Sequence, residues 1–222
     1  ACTATRDVRE IGGMLGARYV LGGSVTRRGG RVRVAAELAE TAEGSTLWVE
    51  RAEAPTAALF DLQDRLVERV VAGLAPQLRQ AELLRALRKR PGNITAYDWW
   101  LRAIDLMGSL DRERFLGART ALDRALEADP HFAMAAAWSA QWCTLAVGQA
   151  WAEDTAAISE RAAVMARRAL AADPGNALAL ALAGHLHAYL LRDPAGALAH
   201  FEAALVACPN LARAWMYSAA TL

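Results

Sequence analysis

Ala-Leu-Glu-Ala-Asp-Pro at Ala125–Pro130 returns as Ala-Leu-Ala-Ala-Asp-Pro at Ala169–Pro174 and as Ala-Leu-Val-Ala-Cys-Pro at Ala204–Pro209. Each copy closes an Ala/Leu-rich stretch of helical character, and another such stretch follows. The prolines lie 44 and 35 residues apart. Self-similarity near a period of about 34 residues is the signature of stacked helix-turn-helix units. A helix pair of that size cannot bury its apolar face alone, so each unit packs on the next and the stack offers an extended surface to a partner. The pattern speaks for an interaction protein before it speaks for an enzyme.

Composition narrows the classes. Hydrophobic residues make up 55% of the 222-residue chain, mostly Ala and Leu, which excludes a mainly disordered protein. The formal net charge of +1 provides no global field for nucleic acid or an anionic membrane, so neither partner is expected. Lys89 is the sole lysine beside many arginines, a bias that fits a GC-rich bacterial genome. Cys2, Cys143 and Cys208 are odd in number and without CxxC spacing, which argues against a disulfide framework or zinc site and for a reducing cytoplasm. No uncharged apolar run reaches the length of a membrane span; Ala177–Leu191 comes nearest, but it carries His185 and His187. The chain has no signal peptide or initiator methionine and opens close to a helix, so it reads as a piece of something longer.

The first 55 residues have a different rhythm. Asp7–Leu15 has helical spacing and stops at Gly16. Tyr19–Val25 is β-rich, Arg28-Gly-Gly30 supplies a turn, and Arg31–Leu38 alternates polar with apolar, which is a hairpin signal. A second turn at Ala42–Ser45 leads to the alternating Thr46–Arg51. Thr56 is placed to cap a long helix with the stripe Leu59, Leu62, Leu66, Val70 and Leu74, which Pro76 should kink or interrupt. The basic Arg88-Lys-Arg-Pro-Gly92 marks the domain boundary. The expected fold is therefore an α+β amino-terminal part over residues 1–90, with a small antiparallel sheet, followed over 93–222 by an all-α helical repeat array.

The repeats resemble the tetratricopeptide pattern, which has a large residue and small residues in helix A, then Ala, aromatic and Ala in helix B, and a final Pro. Ala177–Pro209 matches with Leu180, Ala183, Gly184, His187, Ala197, Phe201, Ala204 and Pro209, plus one residue added in the Arg192–Gly196 turn. A further copy begins at Ala212 with Trp215, Ser218 and Ala219 and breaks off at Leu222. The copy from Phe132 to Pro174 carries about ten residues more than the period, around Val147–Thr155. The copy Tyr97–Pro130 keeps Ala118, Leu122 and Ala125 but has Trp99-Trp100 where helix A begins.

The front half is similar to the TolB amino-terminal-like segment that precedes such repeats in bacterial signalling proteins. Asp7-Val-Arg-Glu-Ile11, Arg18-Tyr-Val-Leu-Gly-Gly-Ser-Val25, Arg31-Val-Arg-Val34, Leu47-Trp-Val-Glu-Arg51 and Leu59-Phe-Asp-Leu-Gln-Asp64 carry that likeness. In that family the segment follows a class III adenylate/guanylate cyclase domain or a winged-helix DNA-binding domain. Its module also continues upstream of Ala1 with at least another strand and helix, which this chain lacks. The resemblance implies a non-catalytic regulatory or scaffold region. Either a cyclase or a transcription regulator could be the parent.

The residues themselves suggest no catalysis, cofactor or metal in this chain. His185 and His187 lie two apart, roughly 200° around a helix, so they cannot share a ligand face. Gly22-Gly-Ser24 and Arg28-Gly-Gly30 lack the phosphate-loop arrangement. Asp61, Asp64, Glu68, Asp111 and Glu113 sit at helical spacing on expected exposed faces. In the repeat register the concave face is expected to carry Met134, Ala137, Gln141, Leu178, Ala181, His185, Arg213 and Met216. It is mostly apolar and lacks the Lys/Asn carboxylate clamp, so an internal hydrophobic contact is expected. The partner would be a protein or peptide, or the parent's own output domain. Self-association is the further expectation, because Trp215 and Met216 should be exposed on a helix without its mate. Trp138 and Trp142 should stack along one helix face, and one of Trp99 and Trp100 should be exposed or interdomain.

Overall fold

The computed structural model describes residues 7–222, except for the side chains at 59–61, 64, 65, 71, 72 and 91. Cys2 and the expected roles of Leu59, Asp61 and Asp64 fall outside what is described. The chain forms two compact units, divided after Glu82.

In the first unit, α1 (Val8–Leu15) begins where the Asp7 carboxylate accepts the Arg9 N–H and ends on Gly16 at φ 61°, a left-handed cap that favours glycine. Strands β1 (Tyr19–Arg28), β2 (Arg31–Glu40) and β3 (Thr46–Pro55) form an antiparallel meander with β2 in the centre. Gly29 and Gly30, at φ 56° and 74°, close the first hairpin with the backbone such a tight turn demands. One face of β2 carries Val32 and Val34 and packs with Ala52, Ala54 and Leu62, the last on the long helix α2 (Leu59–Arg88). Gly73 of α2 lies where a Cβ would come within 2.8 Å of the Trp48 ring, so glycine permits the close approach of helix to sheet. Glu82 is buried and accepts hydrogen bonds of 2.7 Å from Arg18 Nη1 and Tyr19 Oη.

Thr56 sits in a short 3-10 turn before the helix and donates its hydroxyl to the Gly30 carbonyl at 2.9 Å, which ties it to the first hairpin. One expectation fails along α2. Pro76 does not interrupt the helix, which runs unbroken around it. A proline costs one amide donor and crowds the preceding turn, and the continuous helix tolerates both.

The second unit begins at Leu83 and is all helix: α3 (Ala96–Met107), α4 (Arg112–Ala128), α5 (Ala133–Gly148), α6 (Thr155–Ala172), α7 (Ala177–Tyr189), α8 (Pro194–Ala207) and α9 (Ala212–Thr221). Helices pair as α3 with α4, α5 with α6 and α7 with α8, and the first members stack on one another from α3 through α5 and α7 to α9. The cassette explains the regularity. A residue before proline is pushed out of the helical region, and Asp129, Asp173 and Cys208 end their helices at φ/ψ of −142/98°, −149/87° and −148/91°. Their carbonyls then accept the N–H of Phe132, Asn176 and Leu211, each of which opens the next helix in a common conformation.

α5 is buried on nearly every side, among Phe115, Leu122, Leu182 and Leu186. At Gly184 an added Cβ would lie 2.4 Å from the Phe201 ring, so glycine lets α7 and α8 meet. Ala181 is buried against Ala204 and Ala214 where α7, α8 and α9 converge, and Ala137 is buried as well, so neither lines an open groove as the repeat register predicts. An alanine fits either environment; here the crossing helices claim it. The expected Trp138–Trp142 stack gives way to longer-range pairs. Trp142 stacks on Phe115 (5.8 Å, 16°), and Trp138 receives the Arg213 guanidinium at 5.0 Å. Trp99 and Trp100 are both half-buried against the core of this unit, so neither is the exposed member of the pair.

The basic boundary segment contains an internal ion pair. Asp98 is fully buried; its Oδ2 accepts from Lys89 Nζ at 2.5 Å, from the Thr95 N–H at 2.7 Å and from the Thr95 hydroxyl at 2.6 Å. Thr95 and Asp98 together make the capping box of α3. Burial pushes the Asp98 carboxyl up, but the bonds from Lys89 and Thr95 outweigh it and hold the group below its ordinary range.

Candidate partner-binding groove

The stacked faces of α5, α7 and α9 bring three helices' side chains into one cluster. On α7, positions 181 and 185 share a face: Ala181 is taken by the helix crossing, and His185 reaches over α5 and α9. The His185 ring stacks on Tyr217 at 4.1 Å and 6°. Its Nδ1 faces Gln141 Oε1 at 3.2 Å, and Gln141 Nε2 donates to the Tyr217 hydroxyl at 3.4 Å. Arg213, one helical turn before Tyr217, donates to the same hydroxyl at 3.3 Å while lying over Trp138. The cluster thus joins Trp138 and Gln141 of α5, His185 of α7, and Arg213 and Tyr217 of α9.

Burial, with a further push from the Arg213 charge, lowers the His185 pKa to about 4. The imidazole is therefore neutral near pH 7, and Nδ1 can give its proton to the amide oxygen. A neutral ring against a phenol, beside a guanidinium on an indole, makes an amphipathic surface suited to apolar groups that carry an acceptor.

Next to it lies a cavity of about 340 Å³ lined by His185, Tyr189, Arg192, Tyr217 and Thr221, among others. Arg192 has φ 54°, a region non-glycine residues avoid. Ala150 has φ 56° at the corresponding turn of the preceding pair, and both turns carry an N–H five residues back onto a helix carbonyl, Leu191 to Leu186 and Trp151 to Ala146. The strained backbone therefore belongs to the helix-hairpin turn, and it fixes Arg192 at the cavity rim.

Beside Ala137 and Ala181, the other six residues expected on this face have different surroundings. His185 and Arg213 belong to the cluster, as does Gln141, but Gln141 is only 1% exposed and spends its amide on His185 and Tyr217. It positions the cluster and does not meet a ligand. Met134 and Leu178 are half-buried against the core. Met216 is 57% exposed beside Trp215 at 59%. Tyr217 was missed by sequence reasoning, because its role rests on a partner 76 residues away. His187 turns to the other side of α7, where its Nδ1 lies 3.0 Å from Asp193 Oδ2 and its ring meets His200 edge-on at 4.8 Å. Among the described residues no group of three His, Cys, Asp or Glu side chains could hold a metal ion. Nor, among them, is any helix long and apolar enough to cross a membrane.

No known protein-family profile matches the chain. "Putative adenylate cyclase 3" of Rhizobium meliloti (strain 1021) is 33% identical over 131 residues, which is 59% of this chain and 22% of that protein. The chain is thus related to a region of that protein, and it spans only about a fifth of that relative's length.

Proposed function

We propose that this chain is a non-catalytic regulatory or scaffold region of a cytoplasmic bacterial signalling protein, working through a tetratricopeptide-like surface behind a TolB-like segment. The observation that carries the reading is the aromatic and cationic cluster His185–Tyr217–Arg213 on the stacked first helices, bordered by the 340 Å³ cavity. Its occupant is an extended peptide or the parent's own output domain, seated with an apolar side chain in the cavity. The full-length parent is a nucleotide cyclase in this reading. That part of the proposal is favoured by the 33% identity to a protein named as an adenylate cyclase.

Two measurements test the proposal. Purified chain given ATP or GTP with magnesium or manganese should form no cyclic nucleotide; turnover that survives repurification and is lost on misfolding would overturn the non-catalytic assignment. Peptides selected from a random display library should compete for one site and lose at least tenfold in affinity on Arg192→Glu or Tyr189→Glu, two exposed residues that line the cavity. Selected peptides indifferent to both changes would remove the groove from the proposal.

A further inference from the structure

The middle helix pair departs from its neighbours at its turn. Residues 149–154 connect α5 to α6, against 190–193 between α7 and α8. The added residues fold back. The N–H groups of Trp151 and Ala152 both donate to the Ala146 carbonyl, at 2.9 and 3.2 Å, and the Trp151 ring meets Phe115 edge-on at 5.1 Å. With α4 and α6 this turn borders a half-open cavity of about 450 Å³, on the opposite members of the helix pairs from the groove above. That volume is in the range of small-molecule sites.

Its lining is divided by chemistry. Leu116, Trp142, Trp151 and Ile158 form an apolar floor, and Arg112, Arg119 and Arg161 bring three guanidinium groups to the wall. Arg161 is held by Asp123, which also lies 3.9 Å from Arg119, and the Arg161 Nε is buried with no hydrogen-bond partner. The Arg119 guanidinium lies 5.7 Å over the Trp142 ring. Arg112 forms no ion pair among the described residues. On the turn side stand Glu153 and Asp154. Asp154 is engaged, since its Oδ1 accepts the Ala157 N–H at 2.9 Å as the cap of α6. Arg112, which is exposed, and Arg119, whose contact with Asp123 is long, are thus the cations left with capacity for a ligand, and both lie on α4.

We propose that this cavity binds a small aromatic anion, with the ring against Trp151 and the apolar side chains of Leu116 and Ile158, near the edge of Trp142, and the acid group held by Arg112 and Arg119. A planar guanidinium fork matches the two oxygens of a carboxylate or phosphate. Three guanidinium groups against the carboxylates of Glu153 and Asp154 leave the lining with an excess of positive charge, which favours an anion over a cation, and a fully polar ligand gains nothing from the apolar floor.

The test uses naphthalene-2-carboxylate, 2-naphthyl phosphate and naphthalen-2-ylmethylamine as probes on the ¹⁵N-labelled chain. A two-ring acid of this size should bind with a dissociation constant of roughly 1 mM. The indole resonances of Trp142 and Trp151 should shift saturably while that of Trp215 stays in place. Arg112→Gln, at an exposed position, should weaken binding at least tenfold with the unfolding midpoint unchanged; Trp151→Ala should weaken it as well, with a lowered midpoint because the ring packs on Phe115. The tighter of the two acids identifies the head group as carboxylate or phosphate. Absence of saturable shifts at Trp142 and Trp151, equal binding of the amine, or full affinity in Arg112→Gln would each overturn the assignment. None of these outcomes bears on the peptide groove.

Discussion

In the sheet unit the core is one face deep: Val32, Ala54 and Leu62 are buried, whereas most of β1 is open to solvent and Glu53 answers Arg31 and Arg33 on the surface. In the helical unit a whole helix, α5, disappears into the interior, and a carboxylate, Asp98, goes in with its partners. The difference teaches how small residues are used. A sheet face is flat, so a single helix covers it and leaves the other face wet. Stacked helix pairs approach closely only where Ala and Gly face each other, and each such position then carries much of the stability.

The sharpest way to break the helical side of this comparison is Gly184→Leu. With the Phe201 ring where the new Cβ must go, it should cost about 3 kcal/mol, read as a lowered urea midpoint. Ala181→Leu should be nearly as damaging, since Ala181 is enclosed by Ala204 and Ala214. A harmless Ala181→Leu would restore that residue to an open groove.

Asp98→Ala comes next. It removes the α3 capping box and leaves Lys89 partly buried without its counter-ion, so about 2–3 kcal/mol should be lost. Asp98→Asn keeps part of the cap and should cost less, which separates the cap from the charge.

His185 sharpens the comparison by pH. Its folded pKa, about 4, lies below the unfolded value of about 6.5, so the unfolded chain binds the proton more readily in that window. The contribution is fully present above pH 6.5 and is lost as pH falls toward 4, on the order of 2 kcal/mol allowing for partial solvent screening. Denaturation at a series of pH values should show this slope, and His185→Gln should flatten it. His200, lowered by burial and by His187, contributes a slope of the same sign that the variant retains.

The smallest effect is expected on the sheet unit's surface. Glu53→Gln breaks two exposed pairs to Arg31 and Arg33 and should leave the unfolding midpoint within measurement error. A large loss there would mean that this hairpin depends on its charges more than on Val32 and Ala54.

Local chemistry made much of the fold legible. Proline dictates the conformation of the residue before it, so three Pro-terminated cassettes announce three identical helix ends. Asp7 and Gly16 bracket α1, and Gly29-Gly30 bends a hairpin, because capping and positive φ are decided within a few residues. What needed the tertiary structure was every assignment that depends on a distant neighbour. Ala181 reads the same in a groove or in a crossing, and only α8 and α9 decide. Gln141, His185 and Tyr217 come from three helices, and their bonds close only when those helices stack. The bond of the Thr56 hydroxyl to the Gly30 carbonyl joins residues 26 apart in sequence, which no local pattern announces. The surplus residues around Val147–Thr155 do not say locally where they go: α5 and α6 take most of them, at 16 and 18 residues against 13 and 14 in α7 and α8, and the fold of Trp151 back over Phe115 beside an arginine-lined cavity follows from packing between α4, α5 and α6.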